Sequence, residues 1–492
     1  MWNWIKKYRV EVILGCLLLY IAFLLFYNLW VQSFWIDEGF SSYVAKKMSI
    51  EGFYKSSYFL YEWLQALTFK IAGISDFTAR FPSVILQLGS VFLMYLIPYK
   101  LTKNKYVGLI SAAVFWFLYW ELAWWRDARF YSLLQLIFFW GIASLVYWIE
   151  DKKMIYLNIT ILLAWIGAVF HPFLYILWAM LVVVFLLQYK KLWDFKSLFS
   201  KKYLSTWILI VLALVWALVY VIGSWKLLSI ISNNTSDKFT WDMRMTYLKL
   251  YNSHLWEQLG ILLPLWMLWM IWTLFKKNFK ECALFLLPFL LFEYVLVFQG
   301  KMLHYRYALL IYPLIVLSVV IPFYRIYGTR KYKWLKLTAI IICLIGSLFT
   351  TKYQFLPRTY YAFDFTSPQP DFKSAYAKIP DGSNVISGFP VLCDWYYSDR
   401  GNCTHAIRVD MVHDGRWWWF KTWNGERYTK IPYVDDLYGL DSWIYYVVID
   451  NLTRNSNTIN EHLYTQIAQY WKKVFDSWVD YNKIVVAILG VK

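Results

Sequence analysis

About eleven apolar runs, each close to the length that crosses a bilayer and separated by short charged connections, constrain this chain most. They fall near residues 10–31, 82–99, 106–124, 130–149, 155–171, 172–189, 204–222, 257–275, 281–298, 307–324 and 335–350. Residues 155–189 are one apolar stretch, and Pro172 is the natural place to break it into two helices. Sixty per cent hydrophobic residues against 16% charged over 492 positions describe a polytopic, all-α membrane body rather than a soluble core.

The net charge of +18 does not point to nucleic acid, because of where the cations sit. They gather in alternate connections: Lys6 and Lys7, Lys100 to Lys105, Lys152 and Lys153, Lys190 to Lys202, Lys276 to Lys280, and Arg325 to Lys336. This is the positive-inside pattern. With the N-terminus cytoplasmic, an odd span count places everything after Thr350 outside. The first run is followed by no small-residue cleavage site, so it reads as an uncleaved start-transfer anchor in an integral plasma (inner) membrane protein. Two domains follow: a transmembrane domain over 1–350, including a long outer loop at 33–81, and an extracytoplasmic α/β domain over 351–492.

Within the outer loop, segments 40–48 and 58–72 mix aromatics and aliphatics with polar residues, as surface helices in the headgroup plane do. Residues 223–256 read as a polar outer loop, and 299–306 as a very short one. After residue 351, strands are expected at Asn384–Ser387, Trp443–Ile449 and Ile484–Ile488, with helices at Phe372–Lys378 and Glu461–Phe475. The aromatic stretch from Trp417 to Tyr438 reads as packing surface. Cys393 and Cys403 lie on the oxidising side, where a disulfide closing a short loop is compatible with the spacing. Cys16, Cys282 and Cys343 fall in expected spans.

Polar groups that ordinary anchoring does not demand collect on the outer face. Asp37 and Glu38 directly follow the first span. Arg80 opens the second span, and Arg126, Asp127, Arg129 and Tyr131 mark the turn between the third and fourth. His171 ends the fifth span, and His304, Tyr305 and Arg306 precede the tenth. Singly, each reads as an interfacial anchor. Together they set acids and arginines on the face where positive charge is least expected, and guanidinium groups there suit a phosphate.

The order and sidedness of these motifs resemble the membrane glycosyltransferases of the GT-C fold. The match is to the protein-mannosyltransferase and aminoarabinose-transferase-like branch (family 39 and its relatives). The motifs are the acid pair after span one, Arg80-Phe81-Pro82-Ser83, Arg129-Phe130-Tyr131 and the histidine step at span five. The resemblance implies transfer of a monosaccharide from a polyprenyl-phosphate sugar to an extracytoplasmic protein, lipid or glycan acceptor. Asp37 would act as general base, with Glu38 either orienting the acceptor or helping to hold a divalent metal. Arg129, Arg126, Arg80, Arg306 and Tyr131 would hold the donor phosphate, and His171, His304 and Tyr305 sugar or phosphate oxygens. Relatives on this fold differ in whether they use a metal, so no cofactor is fixed. The chain departs from the His-Pro-Pro or Lys-Pro-Pro segment of many relatives, reading Ser56-Ser57-Tyr58-Phe59-Leu60-Tyr61 instead, which leaves the acceptor open. A transporter or flippase, or a non-catalytic envelope scaffold that binds glycans, are the alternative readings. Mid-span charges and matching halves, which a transporter would show, are missing from the sequence pattern.

Overall fold

The basic connections are where helices turn back. In the computed structural model, which describes residues 8–27, 29–30, 33–34, 36–52, 58–116, 126–188, 204–212, 241–260, 262–294, 310–326, 371–406, 444–450, 471–477 and 484–490, three lysines have positive φ. Lys103, Lys152 and Lys277 adopt φ of 55°, 58° and 54°. Lys103 and Lys152 directly follow a helix and Lys277 comes two residues after one, where a cation also complements the C-terminal end of the helix dipole.

The helices are α1 (Arg9–Phe26), α2 (Ile36–Glu51), α3 (Phe59–Ala72), α4 (Asp76–Thr102), α5 (Lys105–Trp116), α6 (Tyr131–Asp151), α7 (Met154–Phe170), α8 (Tyr175–Gln188), α9 (Trp241–Leu259), α10 (Leu262–Phe275), α11 (Leu287–Tyr294), α12 (Tyr312–Ile326), α13 (Phe372–Ala377) and α14 (Pro390–Tyr397). The strands are β1 (Asn384–Ser387), β2 (Asn402–Ala406), β3 (Ile444–Asp450), β4 (Trp471–Ser477) and β5 (Ile484–Gly490). Among the described residues α1, α4 and α6 are long and apolar enough to cross a membrane. The apolar stretch at 155–189 does break at Pro172, where a short 3₁₀ turn, Pro172–Leu174, separates α7 from α8. A π-helical turn at Cys282–Leu286 leads into α11.

The chain divides into two units. The first comprises Met1–Leu24, Ile85–Trp125 and Tyr131–Phe355 and holds the apolar helices. Within it Lys100 donates to both oxygens of Asp151 at 2.6 and 2.7 Å, tying the end of α4 to the end of α6.

The second unit comprises Leu25–Val84, Arg126–Phe130 and Leu356–Lys492. Its sheet has the order β2-β1-β3-β5-β4. β1 runs parallel to β2 and β3, while β5 is antiparallel to β3 and β4. One apolar core joins segments far apart in sequence: Phe34, Val44 and Met48 from around α2, Phe69 from α3, Phe372 and Tyr376 from α13, Leu392 from α14 and Val448 from β3. A disulfide between Cys393 and Cys403, Cα atoms 6.0 Å apart, pins α14 to β2. Helix α3 is apolar on its open side: Phe59, Trp63, Leu67 and Ile71 are exposed at four-residue intervals, while Glu62 and Gln65 are buried. That distribution suits a helix lying in the headgroup plane.

Two local expectations are corrected. Residues 241–256, read from the sequence as loop, belong to helix α9. Residues 471–475, expected as the end of a helix, form β4, whose pairing with β5 from Trp471↔Leu489 to Ser477↔Ile484 overrides the local helical periodicity. The expected span at 335–350, the connection carrying His304, Tyr305 and Arg306, and the stretch 417–438 lie outside the described residues.

Candidate functional site

Consecutive helical residues point about 100° apart, so the two acids in the first turn of α2 face in different directions. Asp37 and Ser41, one turn apart, lie on one face and meet Arg129. Its Nη1 donates to the Asp37 carbonyl at 3.1 Å and to Ser41 Oγ at 2.9 Å. Arg129 Nη2 stands 3.8 Å from Asp37 Oδ2. Glu38 turns inward to Arg80. Arg80 Nε and Nη2 donate to Glu38 Oε1 and Oε2, each at 2.8 Å, the fork geometry that suits guanidinium to carboxylate. Arg80 also donates to the carbonyls of Leu29 at 3.0 Å and Ser33 at 3.1 Å, and its guanidinium lies 4.8 Å from the Phe34 ring.

The turn carrying Arg129 is held from three sides. Ala128 N donates to Glu38 Oε1 at 2.8 Å. Ser83 Oγ donates to the Asp127 carbonyl at 2.5 Å and is itself bonded to the Tyr61 hydroxyl at 2.7 Å. Arg126 Nη2 donates to the Tyr27 carbonyl at 2.6 Å. Phe130 stacks on Tyr58 with ring centroids 4.0 Å apart, and the Arg129 guanidinium lies 5.3 Å from the Tyr58 ring. Several polar groups of this buried five-residue turn are thus met by α2, α4 and the segment after α1.

Asp127 stands out within that turn. It is buried, and neither carboxylate oxygen has a hydrogen-bond partner among the described residues. Burial, reinforced by the negative charge of Glu38, pushes its pKa well above the usual carboxylate range. The sequence signal was an acid between two arginines in a very short turn, but its burial was not visible there.

A further set of residues fixes the approach to α2, and none of them was singled out from the sequence. Ser33 Oγ donates to Asp371 Oδ1 at 2.9 Å, and Lys373 N donates back to Ser33 Oγ at 2.8 Å. Phe34 N donates to the Tyr396 hydroxyl at 2.6 Å. Lys373 Nζ and Trp395 Nε1 donate to the two oxygens of Asp76 at 2.8 and 2.9 Å, one helical turn before Arg80. Gly39 has its own reason: a Cβ there would meet Leu392 Cδ2 of α14 at 2.5 Å.

The other expected residues fall in the first unit or outside the described residues. Tyr131 opens α6 and is buried in the first unit. His171, also in the first unit, accepts from Phe173 N through Nδ1 at 3.3 Å, the role of a local cap. His304, Tyr305 and Arg306 lie outside the described residues. As to a metal, no three His, Cys, Asp or Glu side chains among the described residues are grouped to hold one. Both Glu38 oxygens accept from Arg80, and Oε1 also accepts from Ala128 N.

No protein-family model matches the sequence, and no curated protein matches it. Solved structures do match over nearly the whole chain. ArnT from Cupriavidus metallidurans bound to undecaprenyl phosphate superposes with a TM-score of 0.58 at 12% identity, covering 98% of both chains. The same protein in the apo state gives 0.57 at 11% identity, covering 97% of both. The chain therefore has the GT-C fold that its sequence motifs resemble.

Proposed function

We propose that this chain is an integral membrane glycosyltransferase that moves a monosaccharide from a polyprenyl-phosphate sugar to an extracytoplasmic acceptor. The observation that carries the reading is the juxtaposition of Asp37 and Arg129: a partly open carboxylate beside a guanidinium anchored through Ser41. The fold is that of a protein crystallised with undecaprenyl phosphate, which supports a lipid phosphate as the group that Arg129 meets.

In this reading the acceptor oxygen or nitrogen attacks the anomeric carbon and gives its proton to the Asp37 carboxylate. The bond from that carbon to the phosphate oxygen breaks, and the electron pair leaves with the polyprenyl phosphate. A single displacement of this kind inverts the anomeric configuration. Arg129 stabilises the charge that grows on the leaving phosphate, an interaction stronger in the transition state than before it. Arg126, Tyr131 and Arg306 remain candidates for further phosphate contacts, and His171, His304 and Tyr305 for sugar oxygens. Arg80 and Glu38 are positioning residues, since their charges are spent on each other and on the backbone of the turn. The C-terminal α/β region lies outside the cytoplasm in this reading and braces the start of α2 through Asp371, Lys373 and Tyr396.

Binding of undecaprenyl phosphate to the purified protein tests the phosphate assignment. Arg129→Ala should weaken it about 10- to 100-fold, the loss of one charge-assisted contact. Unchanged affinity would remove Arg129 from the phosphate site.

A further inference from the structure

A second cluster of charge lies in the first unit, at the N-terminal end of α1, the C-terminal end of α4 and the start of α5. An open cavity of about 380 Å³ is lined there by Arg9, Glu11, Tyr99, Lys103, Asn104 and Lys105, among others. Arg9 is held over the Tyr106 ring at 5.4 Å, which leaves its guanidinium edge to a ligand. Lys105 pairs with Glu11 at the rim. Lys103 reaches Glu150 at 3.4 Å, but with the lysine side chain 62% exposed that pair is weak and easily exchanged for another anion. Three cations therefore face the cavity against Glu11 and, beyond it, Glu150.

Two features select among anions. The Asn104 side chain caps α5 by accepting from Tyr106 N at 2.9 Å, so the first turn of that helix adds its positive dipole end to the cavity. Below the charged rim the same helices are apolar and open: Ile13, one turn from Arg9, and Phe92, two turns from Tyr99, are 48% and 42% exposed. A soluble phosphate has no use for that surface, whereas an acyl chain does.

We propose that this cavity binds the phosphodiester headgroup of an anionic phospholipid, with the acyl chains lying along α1 and α4. Arg9 and Lys103 contact the phosphate, and the Asn104 and Tyr99 side chains offer polar contacts to the headgroup alcohol. The site is independent of the glycosyltransfer reading, so either can fail without the other.

The test uses the full chain purified in a neutral detergent and titrated with short-chain phosphatidylglycerol, short-chain phosphatidylcholine or inorganic phosphate. Thermal unfolding and lipid retention in native mass spectrometry are the readouts. Saturable stabilisation by phosphatidylglycerol is expected, with at least tenfold weaker binding of the other two. Arg9→Gln combined with Lys103→Gln should weaken phosphatidylglycerol at least tenfold. Arg9→Gln alone, which changes one exposed side chain, should weaken it at least threefold and serves if the pair does not fold. Lys276→Gln with Lys277→Gln, an equal loss of charge elsewhere, should leave binding unchanged. Wild-type binding by the Arg9 variants, or an equal loss in the Lys276 and Lys277 control, would overturn the site. Inorganic phosphate binding as well as phosphatidylglycerol would make it a free-anion site and overturn the lipid assignment.

Discussion

Asp37 and Glu38 are consecutive, carry the same group and share the first turn of one helix, yet they occupy opposite environments. The Glu38–Arg80 pair is closed off, with side chains 2% and 1% exposed and a two-pronged contact at 2.8 Å. In the Asp37–Arg129 pair the carboxylate is 15% exposed, and Arg129 Nη2 stands 3.8 Å from it. The first pair spends its charge on structure, because a buried ion pair can be kept only if its geometry is nearly complete. In the proposed function the second pair meets substrate, and its carboxylate is the more exposed of the two acids. The 100° step of the helix thus sends adjacent acids to different arginines, and under the proposed function it divides them into a strut and a tool.

The largest effect should come from breaking the strut. Arg80→Met leaves Glu38 buried without its counter-charge, and loss of about 3–5 kcal/mol of stability is expected. Chemical or thermal unfolding in detergent measures it, and Arg129→Met should fall well short of that loss. Equal losses in the two would erase the proposed division. Next comes Gly39→Ala, which sets a methyl group against the Leu392 and Val391 side chains beside the turn bearing both acids. Overpacking of this kind costs about 1–3 kcal/mol. A Leu392→Ala change in the same chain should restore part of it, and no restoration would locate the strain elsewhere.

The smallest effect concerns Asp127 and is read through pH. Its pKa in the folded protein is raised, chiefly by burial. The stability that this group contributes is therefore fully present below the unfolded carboxylate value, near 3.9. It is lost as pH rises through the folded value. Asp127→Asn should flatten that decline, leaving the variant as stable as wild type or more so at neutral pH. Parallel pH profiles of the unfolding midpoint for the two proteins would show that Asp127 is ionised at no cost, against this account.

Much of the architecture was legible because bilayers and helices impose strong periodicities. Pro172 marks the break it should, the two surface segments of the outer loop are helices α2 and α3, and Asn384–Ser387 is a strand. What escaped was set by distant partners. β4 reads locally as helix and becomes strand only through β5. β2, polar and short, exists through its parallel pairing with β1 and the bond from Cys403 to Cys393. At the site, Asp37, Arg80 and Arg129 were visible as charges in the wrong place for a membrane loop. Their division of labour was not, since nothing local says that Arg80 faces Glu38. Ser33, Asp76, Asp371, Lys373 and Trp395 carry no local mark, because their partners lie some three hundred residues away.

If Asp37 is the working acid of the pair, transfer needs its carboxylate. Transfer of radiolabelled sugar from a panel of polyprenyl-phosphate monosaccharides to crude membrane acceptors, by wild type and Asp37→Asn protein in lipid, tests it most directly. Incorporation from one donor by wild type is expected, with a loss of at least about 100-fold in the variant, undecaprenyl phosphate still bound and the unfolding midpoint little changed. Incorporation by Asp37→Asn at the wild-type rate would contradict it.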